Sequence, residues 1–278
     1  MRAPVVLQTD FGLENGKAAA LTGELMRADC ELDVYSVQHC FKKAAVRDAS
    51  AMLYSVLPFW PEETVFVSMV GQSDSSGAVA VLTSNGRYVL TPDNGSLTLV
   101  QKTFGISQAV RLDLSDFDTE LAAYAHFAAG LANRGTMLAD LGQLVEPQNL
   151  VNYKDAAVEI KPGEACGAIA MILPNFGNIT LNISTDDFEE TGFTKGETVQ
   201  VELSRNDAIL FDAAMTYEDS FGHVAKGQAV LFNGSSGYMG IALNQDNFIA
   251  KYLPEITSET ADYSEYNISI KKRRELDE

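Results

Sequence analysis

Apolar and polar positions change period repeatedly along the first half of the chain. Residues 4–7 form a short apolar run that reads as a strand. Residues 16–27 then place apolar side chains at helical spacing. Residues 32–37 read as a strand, and 44–57 as a helix stopped by Pro58. Val65, Val67 and Met69 alternate within a strand at 64–70. Residues 78–83 and 87–90 flank Ser84-Asn85-Gly86, and an Asn-Gly pair between apolar runs signals a hairpin. A strand at 108–112 and a strongly apolar helix at 119–133 complete the series. This order predicts an α/β domain, with a mostly parallel sheet flanked by helices.

From about residue 151 the segments become short, β-branched and punctuated by glycine. Residues 199–203, 208–211, 228–232 and 238–243 read as strands, with short helices at 186–191 and 247–252. That is an all-β pattern. Pro162-Gly163 punctuates the boundary, so the α/β domain is expected over 1–158 and the β domain over 159–256. Lys271-Lys272-Arg273-Arg274 precedes a run of acidic residues, and 257–278 reads as a charged, solvated tail.

Composition narrows the class. The chain has 278 residues, is 46% hydrophobic, and carries a net charge of -18. It can bury a substantial core. A surface this acidic repels phosphate backbones, so nucleic acid is not an expected partner. Cys30, Cys40 and Cys166 form no CxxC pair and have no histidine at ligand spacing. They read as reduced thiols of a cytoplasmic protein, and no metal site is expected. No apolar run approaches the roughly 20 residues needed to span a bilayer, and Asp10 and Glu14 arrive too early for a signal peptide. No phosphate-cradling glycine motif is present.

One carboxylate stands out by position. Gln8-Thr9-Asp10-Phe11-Gly12 follows the first strand and feeds a helix. Asp10 is therefore expected at the carboxyl edge of the sheet, where open α/β sheets bind ligands. Alone, an Asp there is as readily the N-cap of the next helix.

Further stretches add to it. Thr91-Pro92-Asp93-Asn94-Gly95-Ser96-Leu97-Thr98 is one, and Asn175-Phe176-Gly177-Asn178-Ile179-Thr180-Leu181-Asn182 another. Ser235-Ser236-Gly237-Tyr238 leads to Ile241-Ala242-Leu243-Asn244-Gln245. In this order and spacing, from about residue 4 to 253, the chain resembles the S-adenosyl-L-methionine (SAM) hydroxide adenosyltransferase family, hydrolases related to fluorinase and chlorinase. The resemblance implies a C-terminal β-barrel-like domain and a homotrimer. Its sites lie between the N-domain of one subunit and the C-domain of its neighbour. The implied reaction is displacement at the ribose C5′ of SAM by hydroxide, with no cofactor besides SAM or adenosine as ligand.

Residue by residue, the resemblance places Asp10 on the ribose hydroxyls, with Phe11 beside it. It places Phe176 and Asn178 on the adenine, Asn244 and Gln245 at the adenine amine, and Ser235 at the methionine end. Tyr54 and Trp60 fall near aromatic positions of the family's site. Asp93-Asn94-Gly95 reads as a turn and helix cap. The residues that generate hydroxide do not match. Val70-Gly71-Gln72-Ser73-Asp74-Ser75-Ser76-Gly77 stands where an Asp-Pro-Gly-Val-Gly and a following Arg are expected, and Asp74 is the one substitute candidate there. Thr119 stands at the position of an expected His, and Leu173-Pro174 replaces an Asp that would pair with the methionine ammonium. Water near pH 7 is a poor nucleophile without a group to take its proton. SAM or adenosine binding with weak or lost hydrolysis is therefore the expected function, with an active, rearranged hydrolase and a purely structural trimer as alternatives. His39 reads as a structural hydrogen-bonder, with a surrogate base as the alternative, and His126 as a core or interface residue.

Overall fold

A computed structural model describes residues 2–71, 77–154, 156–256, 263 and 265–273. The chain divides into two compact units, Met1–Tyr153 and Lys154–Glu278.

The first unit runs β1 (Val5–Thr9), α1 (Lys17–Ala28), β2 (Val34–Gln38), α2 (Val46–Val56), β3 (Val65–Met69), β4 (Ala78–Thr83), β5 (Tyr88–Pro92), α3 (Thr98–Phe104), β6 (Ile106–Leu112), α4 (Glu120–Ala132) and β7 (Gly142–Val145). Its seven-stranded sheet has the order β2-β1-β3-β5-β4-β6-β7. β2, β1, β3 and β5 pair in parallel, and β4 returns antiparallel as the expected hairpin. Period-two alternation sends Val5, Leu7, Val65 and Val67 to one face, where α1 and α4 cover them. Val6, Phe66, Val79 and Val81 go to the other face with the Leu53, Leu57 and Val100 side chains of the α2–α3 layer. α1 is held by one stripe, Ala18, Leu21 and Leu25. α4 is buried almost all round, and Thr119 caps it by accepting from Ala122 N at 3.1 Å.

Two elements stand here that the sequence pattern does not show, and one histidine moves. α3 spans only seven residues, too few for a helical period to show, and its burial rests on Leu99 and Val100. β7 presents no alternation because most of it is exposed at the sheet edge. His126 is exposed rather than in the core, its ring lying against Phe117 (5.2 Å) and Phe127 (5.7 Å).

The second unit runs β8 (Glu159–Lys161), β9 (Glu164–Leu173), β10 (Asn178–Ser184), α5 (Thr185–Glu189), β11 (Thr198–Arg205), β12 (Ala208–Glu218), β13 (Ala229–Asn233), β14 (Tyr238–Leu243), α6 (Phe248–Tyr252) and β15 (Tyr266–Lys272). The order β10-β14-β13-β12-β11-β15-β9 closes on itself through β9–β10 pairing, a seven-stranded barrel with β8 outside the ring on β9. Closure removes the unpaired edges that a strand would otherwise offer to other chains.

The expected solvated tail is corrected by β15. Tyr266, Ile268 and Ile270 point into the barrel core while Asn267 and Lys271 face out, so the alternation outweighs the adjacent basic run. β15 pairs with both β11 and β9, and the barrel does not close without it. Burying those three side chains contributes about 1.5–3 kcal/mol each.

Candidate functional site

Strand order places Asp10. The chain leaves β1 to build β2 on one side, then returns to build β3 on the other. The winding reverses between β1 and β3, and in open α/β sheets ligands bind at the carboxyl ends of the strands at such a point. Asp10 follows β1 there, its backbone N–H donating to Met69 O at 3.3 Å. Its Oδ2 accepts from two backbone N–H groups, Ala44 and Gly71, each at 3.0 Å. Both donors have positive φ, 58° and 71°, which turns their N–H groups toward the carboxylate. Among the described residues no donor reaches Oδ1. Among the described residues, the carboxylate is thus held through Oδ2 alone.

The neighbouring stretches support this edge. Asn94 Nδ2 donates to Val70 O at 2.9 Å, holding the end of β3. Asp93 is buried, and its two oxygens accept from Val151 N (2.8 Å) and Arg111 Nη2 (3.0 Å). Asp93-Asn94-Gly95 does form a turn, with Asn94 N donating to Pro92 O at 2.9 Å. The helix cap expected of it is absent: Asp93 is committed to distant partners, Asn94 Oδ1 accepts from Ser96 N at 3.2 Å, short of the helix, and α3 has no side-chain cap. Phe11 packs partly into the core between sheet and helices, with Lys17 Nζ 4.0 Å above its ring.

Tyr54 and Trp60 are not brought to Asp10. Tyr54 stacks on Phe104 (5.6 Å) where α3 ends, and Trp60 packs on Tyr35 (5.1 Å) and Phe66 (6.3 Å) before β3 begins. Both stand at the amino ends of the parallel strands, the edge opposite Asp10. Asp74 lies outside the described residues.

A second cluster forms in the barrel unit. A concavity of about 480 Å³ is lined by Asn175, Phe176, Asn178, Phe221, Asn244 and Gln245, with Leu243, Asp246 and Asn247 completing it. This size suits a small ligand. Phe176 is 69% exposed and Phe221 is 41% exposed, while Asn178 is 6% exposed at the start of β10. The turn before Asn178 depends on Gly177, at φ +69°, where a Cβ would lie 2.6 Å from Asn247 Cα. Gly177 O in turn accepts from Ile249 N in α6. Asn244 Nδ2 donates to Val224 O at 2.6 Å, and Asn244 N to Gln228 O at 3.0 Å, so the loop bearing Phe221 is tied to the Asn244-Gln245 turn. Gln245 adopts φ +55°. Four sequence candidates, Phe176, Asn178, Asn244 and Gln245, therefore meet in one concavity. Ser235 does not join them; it is exposed on the turn between β13 and β14. Sequence reading missed Phe221. Its one signal is an aromatic residue inside a polar, glycine-containing connection, Asp219-Ser220-Phe221-Gly222-His223.

These geometries can be set beside known proteins. The N-terminal domain of the SAM hydroxide adenosyltransferases matches residues 5–146, and the C-terminal domain matches residues 167–257. An (R)-S-adenosyl-L-methionine hydrolase of Salinispora tropica is 31% identical over 249 residues, covering 85% of this chain and 88% of its own. A fluorinase of Actinopolyspora mzabensis is 23% identical over 290 residues, covering 90% and 94%. The fold is shared with an uncharacterized conserved protein of Thermotoga maritima at a TM-score of 0.82 and 22% identity, over 96% of this chain and all of that one. With both domain signatures in order and an aligned relative across most of its length, the chain belongs to the SAM hydroxide adenosyltransferase family.

Proposed function

We propose that the protein binds the adenosine part of SAM, or adenosine itself, and hydrolyses SAM weakly or not at all. The observation that carries this reading is the barrel concavity, where the exposed Phe176 and Phe221 side chains stand among amide side chains. Phenyl faces stack on a planar base, and amides hydrogen-bond its edge. In the first unit, Asp10 suits a ribose diol: Oδ2 is fixed by two backbone donors, and Oδ1, which no donor among the described residues reaches, can accept from a ribose hydroxyl. The family's relatives named SAM hydrolase supply the substrate class.

Weak hydrolysis follows from what stands at the activating positions. Thr119, at the place of the expected His, is committed as the N-cap of α4. A threonine hydroxyl does not take a proton from water near pH 7, and loss of a general base costs about 10²–10⁴ in rate. Leu173 replaces a carboxylate with an apolar strand residue, which removes a partner for the methionine ammonium and favours adenosine over SAM.

The 31% identity to a SAM hydrolase favours a second reading, full turnover through a rearranged site. One experiment separates the two. Purified protein is incubated with SAM while adenosine and methionine are followed by chromatography, beside a calorimetric titration with adenosine. Binding without turnover supports the proposal, and turnover abolished by Asp10→Ala supports the hydrolase. Binding of neither ligand sinks both. Self-association as a homotrimer is part of the same proposal, and a monomer in sedimentation counts against it.

A further inference from the structure

We propose that His39 is a positioning residue for Asp10, acting through Thr9 and the segment that follows β2. The inference rests on the reading of Asp10 as the group that holds a ribose diol.

The imidazole bridges two strand ends. Its Nδ1 lies 2.9 Å from Thr9 Oγ1, at the end of β1, and its Nε2 lies 2.9 Å from Ser36 Oγ, in β2. The pairing of these strands slips by one residue just before, from Leu7 opposite Ser36 to Gln8 opposite Gln38. Such a bulge re-aims the residues that follow it. The extra residue in β2 is what brings His39 to Thr9.

Both ring nitrogens are engaged. Thr9 Oγ1 accepts from Phe11 N at 3.3 Å and shares a second hydrogen bond with His39 Nδ1, while Nε2 shares one with Ser36 Oγ. A hydroxyl donates one hydrogen bond and accepts two, so the bridge forms with either neutral tautomer. Burial pushes the imidazole pKa below its usual value, which favours the neutral ring.

Three contacts then fasten the 39–45 segment to the Thr9–Gly12 turn. They are the His39 ring on Thr9, Gly12 N donating to His39 O at 2.6 Å, and Ala44 N donating to Asp10 Oδ2. Ala44 has φ 58°, a conformation that costs a side-chain-bearing residue energy and persists only when its surroundings impose it. His39 is the fixed point at the start of that segment, and Ala44 is its delivery end. Without the ring, the segment keeps the Gly12–His39 and Ala44–Asp10 contacts but loses its side-chain anchor, and the Ala44 donor to Asp10 Oδ2 loses its imposed direction. Gly71 N is then the one firmly directed donor, and the carboxylate pivots about it.

The test compares wild type, His39→Ala, His39→Gln (which keeps one acceptor and one donor), Asp10→Ala and the Asp10→Ala/His39→Ala double variant. Amide hydrogen exchange is followed at peptides holding Gly12 and Ala44, with β11–β12 peptides as the control for global stability. His39→Ala speeds exchange at Gly12 and Ala44 by roughly tenfold or more while the control stays unchanged, and His39→Gln restores most of the protection. In calorimetry, His39→Ala weakens adenosine binding by roughly tenfold, leaves 2′,3′-dideoxyadenosine binding unchanged, and adds nothing in the Asp10→Ala background. Unchanged exchange, an equal loss for both nucleosides, or additive losses overturn the proposal. Absence of adenosine binding in wild type overturns the functional reading instead, and the exchange comparison still decides the role of His39.

Discussion

Gly177→Ala tests how the barrel concavity is built. At φ +69°, a side-chain-bearing residue pays about 1–2 kcal/mol for the left-handed conformation alone. The added Cβ would also lie 2.4 Å from Asn247 Cγ and 2.6 Å from Asn247 Cα. A side-chain end can rotate away, but a Cα cannot without moving the backbone. Asn247 is the N-cap of α6, accepting from Ala250 N at 2.7 Å, so its displacement also loses a cap interaction of about 1 kcal/mol. Forced backbone shifts in a packed region add about 1–3 kcal/mol. The expected total is about 3–6 kcal/mol. Gly192→Ala is the matched control: its φ is +77°, with nothing within 4 Å of the added Cβ. It carries only the conformational cost of about 1–2 kcal/mol. Urea denaturation followed by far-ultraviolet circular dichroism measures both variants, and adenosine titration measures the concavity. Gly177→Ala is expected to fall well below Gly192→Ala in midpoint and to bind adenosine poorly. Equal midpoints for the two variants would refute the claim that contact with Asn247 makes glycine necessary at 177.

Other outcomes follow from single contacts. Ending the chain at residue 265 removes β15 and opens the edges of β9 and β11; the loss of about 5 kcal/mol or more of burial should give aggregated protein by light scattering, and a soluble, unshifted product would contradict barrel closure. Arg111→Ala leaves the Asp93 carboxylate buried without its cation; because Arg111 is one-third exposed, about 2–3 kcal/mol in denaturant unfolding is expected rather than the full value for a buried pair. Burial holds the His39 pKa below 6.5, so the folded state binds fewer protons there than the unfolded chain. That contribution to stability is complete above pH 6.5 and is lost as pH falls through the folded pKa; His39→Gln should flatten this part of the stability–pH curve. Phe221→Ala should weaken adenosine binding by about 1–3 kcal/mol, the value of one stacking face, and no change in calorimetry would remove Phe221 from the site.

Period and turn chemistry determined most of the elements, because both are local. The alternation of Val65, Val67 and Met69, the Asn85-Gly86 hairpin and the apolar run of α4 all appear in the folded chain where the sequence places them. The motif spacing likewise led to the family, and Phe176, Asn178, Asn244 and Gln245 share one concavity. What the tertiary structure decided is non-local. The donors that fix Asp10 come from 34 and 61 positions away, and their direction depends on a positive φ at Ala44 that no local preference demands. The basic run at 271–274 suggested solvent, yet β15 is buried because β9 and β11 offer it two open edges. Trp60 and Tyr54 looked like site aromatics until strand direction set them at the opposite edge of the sheet. Asp10 shows both contributions. Its place at the end of the first strand is written in the residues around it, while the hold on its Oδ2 is set by backbone groups that only the folded sheet assembles.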